Sequence, residues 1–178
     1  MKNPTRSRIR MIAAACLLLG GTAAHAQTTQ EPSHPIQKEM PMTRHAHGPF
    51  DVKLAAQKPD NPQAESAGLG RMSIDKQFHG DLEATSKGEM LSAMTSTQGS
   101  AGYVAIERVS GALHGRSGSF VLQHNATMTR GEPHLNIIVV QDSGTGQLAG
   151  LTGTMKITIA EGGKHAYEFE YMLPTVVQ

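Results

Sequence analysis

The sequence predicts an all-β fold, a single antiparallel barrel of about eight strands, and two observations point to it. From residue 71 onward, short runs of alternating apolar and polar residues are separated by glycines, and a period of two is typical of a strand that buries one face. No window with the helical period of apolar residues lies beside these runs. The composition agrees, because Gly is abundant at 19 residues and Trp is absent, which favours tightly turned β structure over a helical bundle.

The strands follow one another along the chain, each marked by residues at alternate positions. The first is predicted where Phe50, Val52 and Leu54 alternate with Asp51 and Lys53, before a loop that contains prolines. The later runs are Met72, Ile74 and Phe78; Leu82 and Ala84; Met90, Ser92 and Met94; residues 103–109; Phe120, Leu122, His124, Ala126 and Met128; residues 135–140; Met155, Ile157 and Ile159; and His165, Tyr167, Phe169, Tyr171 and Leu173. We expect each alternating set to share one face of its strand.

An internal repeat indicates how these strands are joined. Residues 111–120 and 146–155 both read Gly-x-Leu-x-Gly-x-(Ser/Thr)-Gly-(Ser/Thr)-apolar, and a weaker copy begins at Gly80. Each copy is predicted to be a short strand, a glycine turn and the start of the next strand. A meander of about eight strands without a covering helix protects its edges most simply by closing, which favours a barrel over a sandwich.

The first 26 residues have the features of a secretory signal peptide. A basic segment, residues 2–10, precedes an apolar stretch, residues 11–19, and Ala24-His25-Ala26 is a small-x-small cleavage site. We expect cleavage after Ala26, a periplasmic or secreted protein, and no stable membrane span afterwards, because a spanning helix needs about 20 apolar residues. Residues 27–48, rich in Pro, Thr, Gln and His, are predicted to form a disordered leader, and residues 49–178 the barrel domain.

Removal of the signal peptide changes the charge and the cysteine content. It takes away four basic residues and no acidic one, which leaves 12 Lys and Arg against 15 Asp and Glu in the mature chain. A mildly acidic chain without a basic run lacks the charge pattern of nucleic-acid-binding proteins. The only cysteine, Cys16, is removed as well, so stability has to come from a core and not from disulfides.

Three segments of the sequence resemble a known family. Residues 103–124 (YVAIERVSGALHGRSGSFVLQH), residues 143–151 (SGTGQLAGL) and His165-Ala166-Tyr167 closely resemble a bacterial domain-of-unknown-function family, number 3224, over about residues 50–173. Such proteins look similar to the allene-oxide-cyclase and dirigent barrels, whose Gly-x-Gly segment before a strand is similar to residues 144–153. The resemblance implies an eight-stranded antiparallel barrel but little chemistry, since that barrel group includes cyclases, stereochemical guides and binders. The signal peptide and the leader depart from the family pattern.

The strand alternation gives one candidate site. It places His124 and His165 on inward faces, and Glu107 on the face that it shares with Tyr103, Ala105 and Val109. Tyr103 and Tyr167 are the candidate hydroxyl donors, and the pattern leaves open whether Glu107 faces the interior. A buried carboxylate is costly unless it is hydrogen-bonded or paired. If these groups meet, they form a polar cluster in an apolar cavity, which is typical of a small-molecule site. A small, largely apolar ligand in the interior is therefore the primary prediction.

Two other functions remain open at this level. The barrel is an isomerase or cyclase if Glu107 or His124 moves a proton on such a ligand. It is a structural envelope protein, with homo-oligomers a possibility, if these groups only satisfy one another within a filled core.

No cofactor and no metal site are predicted. His45-x-His47 together with His34 offers imidazoles for Zn or Cu, but histidines in a flexible leader lack a fixed geometry. Gly144-Thr145-Gly146 is not a nucleotide loop, because a strand follows it where a phosphate-binding loop requires a helix. Ser117 lacks the spacing of a hydrolase nucleophile elbow.

Overall fold

The computed structural model describes residues 42–174, which form one closed antiparallel barrel. Its strands are β1 (Arg44–Gln57), β2 (Leu69–Phe78), β3 (Leu82–Met94), β4 (Ala101–Leu113), β5 (Arg116–Thr129), β6 (Glu132–Val139), β7 (Thr152–Ile159) and β8 (His165–Met172). They follow chain order around the barrel, and β1 pairs with β8 to close it. The predicted all-β barrel is confirmed. Among these residues no helix has the length and apolar character needed to cross a membrane.

The first strand begins earlier than the predicted domain boundary. Residues 44–48, assigned to the leader from the sequence, form the start of β1 and pair with β8, from Arg44 opposite Tyr171 to Gly48 opposite Tyr167. Only Ala46 of this segment is buried, so the sequence carries no run of large apolar residues there. Backbone pairing with β8 makes the segment a strand. Residues 27–41 of the predicted leader and the signal peptide lie outside the described residues.

Two other details of the sequence prediction are wrong. The runs at 82–84 and 90–94 are one continuous strand, β3, which passes through Gly88 without a break. The first repeat copy forms the predicted hairpin between β4 and β5, whereas in the second copy Gly146–Leu148 is a 3₁₀ turn. The connection between β6 and β7 therefore crosses the end of the barrel, and these two strands pair only at Ile137 with Met155 and Ile138 with Thr154.

The two ends of the barrel differ in how they exclude water. At the base, where β2 meets β3 and β4 meets β5, the inward side chains of Leu82, Leu113 and Tyr171 are at most 2% exposed. Leu148 and Leu151 from the β6–β7 connection cover this end and are equally buried. The backbone N–H of Thr145 donates to the carbonyl oxygen of Ser119 at 2.8 Å, which fixes that connection to β5. The base is closed by apolar packing.

The opposite end, which we call the mouth, is open. We define it by the inward-facing apolar side chains of Leu54, Met72, Met90, Tyr103, Met128, Leu135 and Ile159. Leu54 is 49% exposed and Ile159 66%, although both continue the inward face of their strands. Met72, Met90 and Tyr103 are half-buried deeper inside. The inward-facing side chains at this end are therefore partly exposed, in contrast to those at the base.

Candidate functional site

A charged cluster centred on Glu107 lies beneath the mouth. The Glu107 side chain points inward from β4, since Glu107 alternates along the strand with buried Ala105 and Val109 on the same face. It is 0% exposed, so its carboxylate needs partners inside the barrel. Three side chains supply them, from β2, β3 and β5. The structure thus places Glu107 on the inward face, a direction that the sequence pattern left open.

Lys76 and Ser86 were not predicted as site residues. The Lys76 ammonium donates from Nζ to Oε1 of Glu107 at 2.8 Å, and the Ser86 hydroxyl donates to Oε2 at 3.2 Å. Both side chains share the inward face of apolar residues already recognised on their strands, Lys76 with Ile74 and Phe78. The alternation of inward and outward positions along β2 and β3 predicts this direction for both. Lys76 does not stand out in the apolar pattern because a lysine is rarely buried unless it is paired.

His124 completes the cluster from β5. Its Nε2 lies 3.2 Å from Oε1 of Glu107, and only 3% of its side chain is exposed. Burial alone would raise the pKa of Glu107, but the hydrogen bond with His124 and the charge of Lys76 outweigh it and hold this pKa below its usual value. Glu107 is therefore an ionised acceptor, and Nε2 of His124 must donate to it.

The other ring nitrogen of His124, Nδ1, has no hydrogen bond to any residue in the described part of the chain. Since no side-chain nitrogen or oxygen there is fully buried without a partner, Nδ1 keeps a small exposed area. When Nε2 of a neutral imidazole donates, Nδ1 is a hydrogen-bond acceptor.

A glycine makes room for the carboxylate. Gly88 on β3 pairs directly with Glu107, and a Cβ atom at Gly88 would lie 2.6 Å from Cβ of Glu107 and 2.8 Å from the carbonyl oxygen of Ile106. Such a contact is shorter than packed atoms tolerate. The absence of a side chain at Gly88 is thus a condition for the position of Glu107.

The remaining predicted site residues lie in three different places. Tyr103, one inward position beyond Ala105, belongs to the mouth, and burial together with the charge of Glu107 raises its pKa. His165 packs its ring against Phe50 at 5.1 Å and forms no hydrogen bond to Glu107 or His124. Tyr167 is 1% exposed and bonds to the β2–β3 turn, outside the cluster. Of the five predicted site residues, the structure therefore brings only Glu107 and His124 into contact, and Tyr103 lies above them.

A groove lies beside the mouth, between the β1–β2 loop and strands β2 to β5, with a volume of about 820 Å³. Outward-facing Leu91 and Val104 contribute apolar walls, and Tyr103 of the mouth also lines it. Its charged groups satisfy one another, because Arg71 pairs with Asp60 at 3.1 Å and with Glu89 at 2.9 Å. The groove thus offers apolar surface but no unpaired charge among these residues.

Two histidines of the predicted leader, His45 and His47, lie within the described residues. His45 and His47 lie on β1, where they pair with Glu170 and Glu168 of β8. Within residues 42–174, no three side chains of His, Cys, Asp or Glu are placed to hold a metal ion. His34 lies outside the described residues.

Comparison with known proteins identifies relatives by sequence and by fold. Residues 46–171 match the model of a family described as a protein of unknown function, DUF3224. The crystal structure of a DUF3224 protein with unknown function from Shewanella oneidensis MR-1 is 51% identical, covers 76% of this chain and 100% of its own, and superposes with a TM-score of 0.70. No curated protein matches the chain significantly.

Proposed function

Since this chain belongs to the DUF3224 family, whose function is unknown, we propose a role from its own geometry: the mouth binds a small, largely apolar molecule whose polar end reaches His124. One observation carries this proposal. Inward-facing apolar side chains are partly exposed at one end of the barrel and fully buried at the other, and a cluster of polar side chains lies between the two regions. An apolar concavity with few convergent polar groups is the usual form of a ligand site.

The cluster also indicates which polar group the ligand carries. Lys76 and Glu107 neutralise each other, so a neutral ligand leaves the buried charge balanced. Nδ1 of neutral His124 accepts a hydrogen bond, which suits an alcohol, a phenol or another donor. Met72 and Met90 stand above it on two neighbouring strands, and flexible thioethers adapt to ligands of different shape.

We propose in addition that the protein is exported. The basic segment, the apolar stretch and the Ala24-His25-Ala26 cleavage site support this, and all of them lie outside the described residues. Intact mass measurement of the protein from the periplasm of an expression host tests it. A mature chain that begins at Gln27 is expected, and an uncleaved chain in the cytoplasm would contradict it.

A second candidate function is isomerisation or cyclisation of the same ligand. It is favoured by the pairing of Glu107 with His124, because a carboxylate that orients one imidazole nitrogen leaves the other to take up a proton. The proposed likeness to allene-oxide-cyclase barrels agrees with this alternative. Turnover lost in His124→Ala while ligand affinity is kept would favour the enzyme, and parallel loss of affinity would favour simple binding.

Ligand-dependent thermal unfolding tests the binding function. The probes are 1-octanol, which has an apolar chain and a hydroxyl donor, and 1-methoxyoctane, which lacks the donor. We expect 1-octanol at ten times its dissociation constant to stabilise the mature protein by about 1.4 kcal/mol, and the ether to stabilise it less. His124→Ala should remove the difference between the two probes.

Two neighbouring residues supply a matched control. Met90 faces the mouth and Leu91 faces outward into the groove. Met90→Lys should abolish stabilisation by 1-octanol, while Leu91→Lys should leave it unchanged. The proposal is wrong if neither probe stabilises the protein, or if only Leu91→Lys removes the effect.

A further inference from the structure

We propose that Lys76 holds small apolar aldehydes or ketones covalently, as an imine inside the barrel. This inference rests on the proposed function, because the carbonyl compound has to enter the mouth first. It adds carbonyl compounds as the ligand class and a covalent bond to Lys76, which non-covalent binding does not require. Lys76 is the residue concerned because it combines a primary amine, a buried position and a carboxylate within hydrogen-bond distance.

The surroundings of Nζ fit an iminium ion as well as an ammonium ion. Only 5% of the Lys76 side chain is exposed. Nζ lies 5.3 Å from the ring centre of Phe50 and 5.7 Å from that of Phe78, and aromatic faces attract a cation of either kind. Met72 lies above Lys76 on the inward face of the same strand, toward the mouth, so the apolar part of a carbonyl compound would meet a flexible side chain there.

The reaction needs no group beyond those in the cluster. The ammonium of Lys76 gives a proton to Oε1 of Glu107, 2.8 Å away, and the free amine attacks the carbonyl carbon, so that an N–C bond forms and the C=O π bond breaks. The carbonyl oxygen takes up the proton from Glu107, and the nitrogen then gives a proton back to Glu107. Glu107 protonates the hydroxyl, which leaves as water. Lys–NH₃⁺ and R–CHO thus give Lys–NH⁺=CHR and H₂O.

Charge conservation is what makes the pair suited to this step. One positive charge faces the Glu107 carboxylate before and after the reaction, so no uncompensated charge is left in the apolar interior. His124 hydrogen-bonds to the same carboxylate oxygen, and its second ring nitrogen offers another position for the proton.

A lysine on the neighbouring strand β3 provides an internal comparison. Lys87 also pairs with a carboxylate, with Nζ 2.6 Å from Oδ1 of Asp75, but its side chain is 80% exposed. Water surrounds this ammonium and competes with imine formation. A carboxylate partner alone would make the two lysines equally reactive, whereas a site in the mouth favours Lys76.

Reductive trapping on the mature protein tests the inference. The protein is treated with octanal and sodium cyanoborohydride, and each modified lysine is quantified by peptide mass mapping. We expect the octyl adduct to accumulate on Lys76 on the order of tenfold faster than on Lys87, since binding in the mouth raises the local aldehyde concentration. Glyoxylate, which lacks an apolar chain, should show no such preference.

Two variants distinguish an imine from other effects. Lys76→Arg keeps the charge beside Glu107 but cannot form an imine, and it should lose the preferred adduct. Lys76→Met combined with Glu107→Leu removes the ion pair together with the amine and guards against misfolding of the single variant. Equal labelling of Lys76 and Lys87 while 1-octanol still binds would overturn this inference alone. If neither octanal nor 1-octanol binds, the proposed function fails as well.

Discussion

Nζ of Lys76 lies 2.8 Å from Oε1 of Glu107 inside the barrel, with 5% and 0% of the two side chains exposed. Removing one partner of such a pair leaves the other charged and buried, which typically costs about 3–5 kcal/mol. Lys76→Met should therefore lower the free energy of unfolding by about this amount. Glu107→Leu added to Lys76→Met should restore much of the loss. Urea unfolding of the wild type, both single variants and the double variant measures this, and additive losses would contradict the coupling.

The Glu107 carboxyl should make stability depend on acid. Burial alone would raise its pKa, but the hydrogen bond with His124 and the charge of Lys76 lower it overall. A group with a lowered folded-state pKa contributes stability above the unfolded pKa of about 4.3, and this contribution is lost as the pH falls through the folded-state value.

Urea unfolding of the wild type and of Glu107→Gln between pH 7 and about pH 2 measures this dependence. The wild type should lose more stability on acidification than the variant. The pKa of Asp81 is also lowered, by the backbone N–H of His47, but Asp81 is present in both proteins and cancels in the difference. Parallel acid profiles would show that Glu107 gains nothing from its partners.

The hydroxyl of Tyr167 should stabilise the base of the barrel. It accepts from the backbone N–H of buried Leu82 at 2.8 Å and donates to the carbonyl oxygen of His79 at 3.1 Å. Tyr167→Phe leaves that N–H unpaired, and we expect a loss of about 1–3 kcal/mol in the free energy of unfolding. Tyr103→Phe is the matched control, because its hydroxyl has no hydrogen bond within residues 42–174. Equal effects of the two substitutions would contradict this role.

Tyr167 also predicts a loss of stability in alkali. Burial raises its pKa to about 12, so the neutral hydroxyl stabilises the fold fully below the unfolded pKa of about 10. The contribution is lost as the pH rises from there toward the folded-state value. The stability difference between wild type and Tyr167→Phe should therefore shrink above about pH 10, and a constant difference in alkaline urea unfolding would disprove it.

Gly88 should be the glycine that the cluster needs. Gly88→Ala places a methyl group 2.6 Å from Cβ of Glu107, and overpacking of this kind typically costs about 1–3 kcal/mol. Gly102→Ala on the next strand is the control, since its Cβ would meet only the carbonyl oxygen of Ala126, at 3.5 Å. Thermal unfolding of both variants is the measurement. A Gly88→Ala protein as stable as Gly102→Ala would mean that Glu107 does not require the space.

The barrel could be predicted from the sequence because alternation and glycine spacing are local signals. Alternation along a single strand also placed His124 on an inward face, and it grouped Glu107 with Ala105 and Val109, which the structure shows to face inward. Which inward groups meet depends on register and strand tilt, which are not local, and so His165 and Tyr167 were grouped with them wrongly. Lys76 was missed because a charged residue interrupts the apolar pattern that marks β2.

The start of β1 and the conformation of the β6–β7 connection could not be predicted because both depend on contacts with distant parts of the chain. Residues 44–48 become a strand through pairing with β8, which is the last strand of the chain. The second repeat copy has the composition of a strand and turn, but Leu148 and Leu151 are buried across the base of the barrel. Tertiary packing selects a 3₁₀ turn there in place of a hairpin.

Methyl NMR during a titration with 1-octanol tests the binding site most directly. Methyl groups of Met72 and Met90 report on the mouth, and those of Leu91 and Val104 report on the outer groove. We expect saturable shifts for the two methionines, with the outer methyl signals unchanged. Shifts confined to Leu91 and Val104, or no saturable shift at any of the four residues, would contradict a ligand site in the mouth.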